Sequence, residues 1–201
     1  MDSRAWDDRY RGSELVWTSE ANRFLVAEAA GLAPGRALDL ACGEGRNAVW
    51  LAERGWRVTG VDFSEVGLEK AKALAQTRGV DPDWIAADLL EYQPEPAAFD
   101  LVIVFYLQVP RSDRTRIVAR AADAVASGGT FLLVAHDSAN IEHGHGGPQV
   151  PAVLYTSEDV VSDLSGSGLE IERAERVERP VETEDGVKIA LDALVRASRA
   201  G

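Results

Sequence analysis

A glycine-rich turn, Gly43-Glu44-Gly45-Arg46-Asn47-Ala48, is the segment whose residue types and spacing point most directly to chemistry. It matches the pattern G-x-G-x-x-G/A, in which a tight turn presents backbone N–H groups at the start of a helix to a phosphate. Asp62 follows about 20 residues later, where an acidic side chain would accept hydrogen bonds from ribose hydroxyls. The glycines taken alone fit an NAD(P)-dependent oxidoreductase.

The charges beside this turn favour a different ligand. Asp39 and Glu44 place two carboxylates next to the predicted helix N-terminus, where they would repel a pyrophosphate. The chain also lacks a recognisable Tyr-x-x-x-Lys pair for hydride transfer. A ligand with an ammonium group, a sulfonium group and an adenosine ribose fits these charges better, and S-adenosylmethionine (SAM) has all three.

Apolar strands alternate with amphipathic helices along the chain, and this alternation must position the residues of the turn. The predicted strands cover 37–41, 56–61, 84–87, 99–105, 129–136, 169–181 and 187–195. The predicted helices cover 46–54, 64–79, 113–126 and 158–165, and an earlier helix runs from an N-cap at Ser19 to Gly31. We therefore expect an α/β fold, a single domain with a Rossmann-like, doubly wound sheet of seven mostly parallel strands.

The last two predicted strands are joined by the short turn Glu184-Asp185-Gly186, so they must be antiparallel. In the final strand every second residue from Val187 to Val195 is apolar, which predicts a strand with one buried face. We therefore expect one antiparallel strand near the C-terminus.

The carboxyl ends of the parallel strands predict the position of the ligand crevice. The residues at or near these ends are Asp39, Asp62, Asp88, Phe105 and His136, and we expect them along one rim of the sheet. His136 is the candidate general base for an acceptor that carries a hydroxyl or a protonated amine.

Five segments, in order along the chain, resemble the motifs of the class I SAM-dependent methyltransferases. They are Ala37-Leu38-Asp39-Leu40-Ala41-Cys42-Gly43-Glu44-Gly45, Val58-Thr59-Gly60-Val61-Asp62-Phe63-Ser64, Ala86-Ala87-Asp88-Leu89, Phe99-Asp100-Leu101-Val102 and Gly128-Gly129-Thr130-Phe131. In that family the seventh strand lies antiparallel between the fifth and the sixth. A shorter match, at 6–10, Trp17 and 43–52, resembles the small tellurite-resistance and thiopurine methyltransferase-like group.

The family resemblance implies a role for each motif in holding SAM. The backbone from Ala41 to Gly43 would approach the methionine part, and Asp62 would accept both ribose hydroxyls. Phe63 would lie against adenine, and Asp88 with Leu89 would meet the amino edge of adenine. Asp39 would steer the amino group through water or bind the backbone of the turn. The full set of expected cofactor contacts is Trp17, Asp39, Ala41, Cys42, Gly43, Asp62, Phe63, Asp88, Leu89 and Phe105.

The remaining aromatic and histidine residues allow more than one interpretation. Trp17 and Tyr10 precede the first strand and would form either an aromatic lid over the cofactor or ordinary core packing. His143 and His145 lie in a glycine-containing loop, and because a metal site needs three or four ligands we expect a loop that covers the substrate, with no metal.

The composition limits the partners of the chain. Its 33 acidic and 21 basic residues give a net charge of −12, which repels nucleic acid and anionic membrane surfaces. No apolar run approaches the roughly 20 residues that span a bilayer. The first residues lack the apolar segment of a signal peptide, so we expect a cytoplasmic protein.

We therefore expect one methyltransferase domain over 1–201, with a helical lid at 1–34, a SAM-binding core at 35–136 and a substrate loop, helix and strand pair at 137–201. It would transfer the SAM methyl group to a small-molecule acceptor through a sulfur, selenium, tellurium, nitrogen or oxygen nucleophile, by in-line displacement. An NAD(P)-dependent oxidoreductase and a non-catalytic SAM sensor are the alternatives.

Overall fold

The computed structural model describes residues 3–12, 15–16 and 18–201. Its helices are α1 (Ser3–Tyr10), α2 (Arg23–Ala29), α3 (Arg46–Ala52), α4 (Glu65–Arg78), α5 (Arg111–Asp123), α6 (Asn140–His143) and α7 (Ser157–Asp163). Its strands are β1 (Arg36–Leu40), β2 (Arg57–Asp62), β3 (Asp83–Ala86), β4 (Phe99–Phe105), β5 (Val125–His136), β6 (Leu169–Thr183) and β7 (Gly186–Arg199). A 3-10 turn spans Pro151–Val153.

The seven strands form one sheet in the order β3-β2-β1-β4-β5-β7-β6. Strands β1 to β5 pair in parallel, and β7 runs antiparallel to both of its neighbours, β5 and β6. This topology confirms the expected fold class and the antiparallel strand inserted near the C-terminus. Because β1, β2, β4, β5 and β6 run in the same direction, their carboxyl ends meet at one edge of the sheet.

Both faces of the sheet are buried, as expected for parallel strands between helices. Successive residues of β4 alternate between two apolar clusters, because side chains along a strand point to opposite faces. Val102 and Val104 pack with side chains of α5, and Leu101 and Ile103 pack with side chains of α2 and α3. The central strands are therefore held rigidly, and their ends form a fixed edge.

Local sequence signals set the limits of α4 as predicted. The Ser64 side chain accepts a hydrogen bond from the Gly67 N–H at 3.0 Å and caps the first turn. Gly79 ends the helix in the left-handed conformation with φ 70°, which costs glycine little. The Ser64 cap matters for the site because it follows Asp62 directly.

The N-cap predicted at Ser19 is wrong. Helix α2 begins at Arg23, and its cap is Asn22, whose side chain accepts a hydrogen bond from the Phe24 N–H at 2.9 Å. The Asn22 N–H in turn donates to Asn47 Oδ1 at 2.9 Å. This contact between distant residues fixes the start of α2, so the local pattern around Ser19 did not reveal it.

The prediction that β7 has one buried face is also wrong. Val187 is 63% exposed, whereas the adjacent residues Ala193 and Leu194, which point to opposite faces of the strand, are fully buried. The reason is the position of β7 in the sheet. Its first residues pair only with β6, but from Asp192 onward it lies between β5 and β6 and is covered on both faces.

Candidate active site

A cavity of about 460 Å³ lies at the carboxyl edge of the sheet. The ends of β1, β2, β4 and β5, the middle of β6 and the segment before α2 contribute residues to its wall. Seven of the residues expected at the site line it: Ala41, Cys42, Gly43, Asp62, Phe63, Phe105 and His136. Tyr10 lines it as well, and Trp17 lies outside the described residues.

The turn after β1 adopts an unusual backbone conformation. Ala41 has φ 61°, and Gly43 has φ 54°. A side chain at position 43 would place its Cβ 2.9 Å from Tyr10 Oη, so the position requires glycine for space as well as for conformation. Tyr106, directly after β4, also has a positive φ of 54°. Left-handed non-glycine residues therefore occur at the ends of two adjacent strands, both on the cavity wall.

Asp62, the last residue of β2, is held in place by backbone donors. Its Oδ2 accepts the Gly43 N–H and its Oδ1 accepts the Ser64 N–H, both at 2.9 Å. Burial raises the pKa of Asp62, and these two hydrogen bonds oppose the rise. A carboxylate has about four lone-pair sites, so Asp62 retains acceptor capacity toward the cavity.

Asp39 lies under the turn, 1% exposed, and does not contribute to the cavity wall. Neither of its oxygens accepts a hydrogen bond of normal geometry from the described residues. Burial, assisted by the nearby charge of Asp62, raises the pKa of Asp39 to about 8. The side chain is therefore mostly protonated at neutral pH. The expected hydrogen bond to the backbone of the turn is absent among the described residues, and steering of the cofactor amino group through water stays a prediction.

Glu44 connects the turn to the N-terminal segment. Its Oε1 lies 3.1 Å from Lys70 Nζ and accepts the Val16 N–H at 3.1 Å. Asp7 of α1 makes a second connection by accepting a hydrogen bond from Ser64 Oγ at 2.5 Å. Glu44 was expected only as a source of negative charge, but the structure shows that it also holds residues before α2 against the turn.

Asp88 and Leu89, after β3, lie outside the cavity wall. Asp88 is exposed, and its Oδ1 accepts the Leu90 N–H at 2.9 Å. Leu89 is buried in the apolar cluster on the α5 face of the sheet. Their expected contacts with adenine stay predictions.

A network of polar side chains fills the opposite part of the cavity, near β4, β5 and β6. Its centre is Asp192 of β7, which is fully buried. Arg179 Nε donates to Asp192 Oδ2 at 2.6 Å, and Tyr106 Oη donates to the same oxygen at 3.0 Å. His136 Nδ1 lies 3.3 Å from Asp192 Oδ1, and the Asn22 amide donates to Tyr106 Oη at 3.2 Å.

These contacts have clear electrostatic consequences. The neighbouring Arg179 and His136 lower the pKa of Asp192 despite its burial. Burial raises the pKa of Tyr106, and the adjacent carboxylate of Asp192 raises it further, so the phenol stays protonated and can act as a hydrogen-bond donor.

Sequence reasoning found His136 but missed Tyr106, Arg179 and Asp192. A usable signal was present, because Asp192 interrupts the apolar run from Ile189 to Val195. A charged residue inside a buried strand needs a partner, and here the partners come from three other strands and their ends.

The comparisons with known proteins agree with this geometry. Residues 37–129 match the family model described as a methyltransferase domain. The ubiquinone biosynthesis O-methyltransferase of Idiomarina loihiensis is 37% identical over 112 residues, which cover 55% of this chain and 46% of that protein. The ribosomal RNA small subunit methyltransferase C of Alcanivorax borkumensis is 32% identical over 108 residues, covering 51% and 33% respectively. The matches thus span about half or less of each relative.

Solved structures extend the likeness to nearly the whole chain. One, from a study of the conversion of a disulfide bond into a thioacetal group during echinomycin biosynthesis, has a TM-score of 0.76 and 22% identity, and covers 98% of this chain and 92% of that chain. A SAM-dependent methyltransferase from Methanosarcina mazei has a TM-score of 0.69 and 18% identity, covering 90% and 100%. The chain has the SAM-dependent methyltransferase fold.

This methyltransferase fold does not identify a subgroup, so the resemblance to the tellurite-resistance and thiopurine group stays a prediction. No helix among the described residues of the chain has both the length and the apolar character needed to cross a membrane.

Proposed function

We propose that this chain binds SAM at the ends of β1 and β2 and transfers its methyl group to a small-molecule acceptor held near β4, β5 and β6. The observation that carries the proposal is the position of Asp62. Its carboxylate is fixed by the backbone of Gly43 and Ser64, lies on the cavity wall and keeps lone pairs for two ribose hydroxyls.

The residues at the turn fit this cofactor. The absence of a side chain at Gly43 lets the Tyr10 hydroxyl pack against the turn. The backbone from Ala41 to Gly43 lies on the cavity wall, where it would approach the methionine part. Phe63 lines the cavity next to Asp62, where it would lie against adenine. When bound, SAM supplies an electrophilic methyl group on a sulfonium, and its leaving group is neutral.

The protein has little covalent chemistry to perform in such a displacement. Its residues align donor and acceptor and exclude water, and proximity of this kind contributes roughly 7–11 kcal/mol to lowering the barrier. Phe105 and Tyr106 on the cavity wall would keep water from the reacting atoms. A thiolate or a selenide acceptor requires no further assistance.

A hydroxyl or ammonium acceptor requires a base, and we assign this role to His136. The carboxylate of Asp192 near Nδ1 favours the tautomer with its proton on Nδ1, which leaves the Nε2 lone pair free to accept the acceptor's proton. Asp192 is then a positioning residue for His136.

Calorimetric titration tests the cofactor assignment. We expect S-adenosylhomocysteine (SAH), the reaction product, to bind and NADH to leave the protein unaffected. Binding of NADH without any response to SAH would support the oxidoreductase alternative and refute the proposal.

A labelled-methyl assay across thiols, selenite, tellurite, phenols and nitrogen heterocycles tests the transfer step, with a ribosomal RNA fragment as the nucleic-acid acceptor. The net charge of −12 supports a small acceptor over a polyanion. Binding of SAH with no methyl transfer to any acceptor would favour the sensor alternative.

The base assignment has its own test. His136→Asn should lower turnover on a phenol about 100-fold or more, the scale of general-base catalysis, while turnover on a thiol stays close to that of the unmodified protein. Equal losses on both acceptors would contradict the role of His136 as a base.

A further inference from the structure

Arg46 is a half-buried charged residue of the cavity that has no partner among the described residues. It is the first residue of α3, directly after the glycine-rich turn, and its half-buried side chain lines the cavity. Within the part of the chain that the structure describes, its guanidinium makes no hydrogen bond and no ion pair. Burial lowers the pKa of Arg46, yet a guanidinium remains charged at any physiological pH.

The acidic groups next to Arg46 do not neutralise it. Glu44 already pairs with Lys70 at 3.1 Å and accepts the Val16 N–H. Asp39, whose pKa burial raises to about 8, is mostly uncharged at neutral pH. A half-buried cation without a counter-ion is costly, and proteins commonly keep such a group where a ligand supplies the anion.

The carboxylate that faces Arg179 is occupied as well. Asp192 accepts two hydrogen bonds from Arg179, at 2.6 and 3.3 Å, so these two charges offset each other. Arg179 lies close enough to Arg46 for its charge to lower the pKa of Arg46 further. Asp192 is therefore engaged by Arg179, and the charge of Arg46 remains without a partner among the described residues.

Arg46 stands between the proposed cofactor groove and the polar network around Asp192. The electrostatic neighbours of Arg46 include Tyr106, after β4, and Arg179, on β6. The cofactor contacts that we propose lie at the ends of β1 and β2, on the other side of β4 from β6. Arg46, at the start of α3, thus connects the two parts and faces residues of the acceptor side.

We infer that the methyl acceptor carries a carboxylate group and that Arg46 binds it. Guanidinium presents paired N–H donors whose spacing matches the two carboxylate oxygens, and such a pair fixes orientation as well as position. Binding of this group to Arg46 would hold the nucleophile of a small acid near the ends of β4 and β5. The inference rests on the proposed function and narrows its acceptor class.

Binding of small acids to the SAH-saturated protein tests the inference without knowledge of the natural acceptor. The probes are acetate, propionate, benzoate and 4-hydroxybenzoate, each paired with its amide, titrated by calorimetry. We expect at least one acid to bind about tenfold or more tightly than its amide, because the neutral amide cannot form the charge-assisted hydrogen bonds of a carboxylate. Equal affinity within every pair would overturn the inference.

Substitutions at Arg46 test whether its guanidinium causes the tighter binding of the acid. Arg46→Gln should abolish the preference for the acid, and Arg46→Lys should retain part of it. The matched control is Arg54→Gln, which removes the same charge from an exposed arginine that follows α3 and stacks on Trp50. Arg54→Gln should keep the preference for the acid shown by the unmodified protein. If Arg54→Gln lost as much of this preference as Arg46→Gln, the effect would not be specific to Arg46.

A second carboxylate, that of the cofactor itself, must be distinguished from that of the acceptor. We therefore compare SAH with 5′-methylthioadenosine, which lacks the amino acid part. Arg46→Gln should leave the affinities for both ligands unchanged within about threefold. A large loss for SAH alone would assign Arg46 to the cofactor carboxylate and overturn the inference. Failure of the unmodified protein to bind SAH would instead refute the proposed function.

Discussion

The two sides of the cavity are built in different ways. On the side of β1 and β2, backbone N–H groups of Gly43 and Ser64 hold Asp62, and the chain segments involved lie within about 25 residues of one another. On the side of β4, β5 and β6, side chains hold side chains, and the connection from Asn22 through Tyr106 to Asp192 covers most of the chain.

Because of this difference, the two sides should respond differently to amino-acid substitutions. A site held by backbone N–H groups has a fixed shape, and this shape changes little when surrounding side chains are replaced. A side-chain network can be altered residue by residue, so it is the part in which related proteins can differ in their acceptors. The following predictions test whether the two sides respond independently.

The largest effect is expected for Asp192→Ala. Removal of this carboxylate leaves Arg179 without its partner and His136 without its neighbour, and breaking a buried ion pair costs about 3–5 kcal/mol. Urea denaturation should show this loss in the free energy of unfolding. SAH affinity measured below the transition should change less than about threefold. A collapse of SAH affinity in the folded variant would show that the two sides are coupled.

Asp62→Ala tests the cofactor side. Loss of the proposed ribose contacts and of the bonds that order the turn should weaken SAH binding about 100-fold, since each hydrogen bond to a charged group contributes roughly 1.5–3 kcal/mol. The control is Asp81→Ala, at an exposed position outside the cavity wall. Calorimetry on both variants makes the comparison, and unchanged affinity in Asp62→Ala would refute the assignment of the cofactor site.

Asp39→Asn tests the raised pKa of Asp39 through the pH dependence of the free energy of unfolding. The pKa of Asp39 is raised to about 8 in the folded protein, above its unfolded value, so the folded state holds the proton more tightly. Stability should therefore fall as pH rises from about 4 to about 8. Asparagine cannot ionise, and between pH 5.5 and 7.5 the variant should lose about 2 kcal/mol less than the unmodified protein. The measurement is urea denaturation of both proteins across this pH range. If their free energies of unfolding changed equally with pH, the raised pKa of Asp39 would be contradicted.

The smallest effect is expected for Asp88→Asn. The amide oxygen can replace the acceptor of the Leu90 N–H, so the turn should persist. The predicted adenine contact would weaken, and SAH affinity should fall about threefold. An S-inosylhomocysteine titration provides the control, because this ligand lacks the adenine amino group and should bind both proteins equally. An equal loss for both ligands would point to a disturbed turn.

The side of the cavity at β1 and β2 was predictable because its signals are local. The glycines, the acid that ends β2 and the Ser64 cap all stand next to the elements they control, and the strand pattern around them fixes their relative positions. The start of α2 was not predictable, since Asn22 is held by Asn47, a residue 25 positions away. The burial of β7 was mispredicted for the same kind of reason, because its two neighbours in the sheet determine which faces are covered.

The amino-acid sequence by itself determined the fold class, the glycine-rich turn and the acid that faces it, because each depends on periodicity, backbone freedom or charge within a short segment. The tertiary structure alone decided the polar network near β4, β5 and β6. Tyr106, His136, Arg179 and Asp192 lie on four different strands or their ends, and the insertion of β7 between β5 and β6 brings them together. It also decided that Arg46 keeps an uncompensated charge, because a counter-ion is a matter of distance in space, which spacing along the chain does not encode.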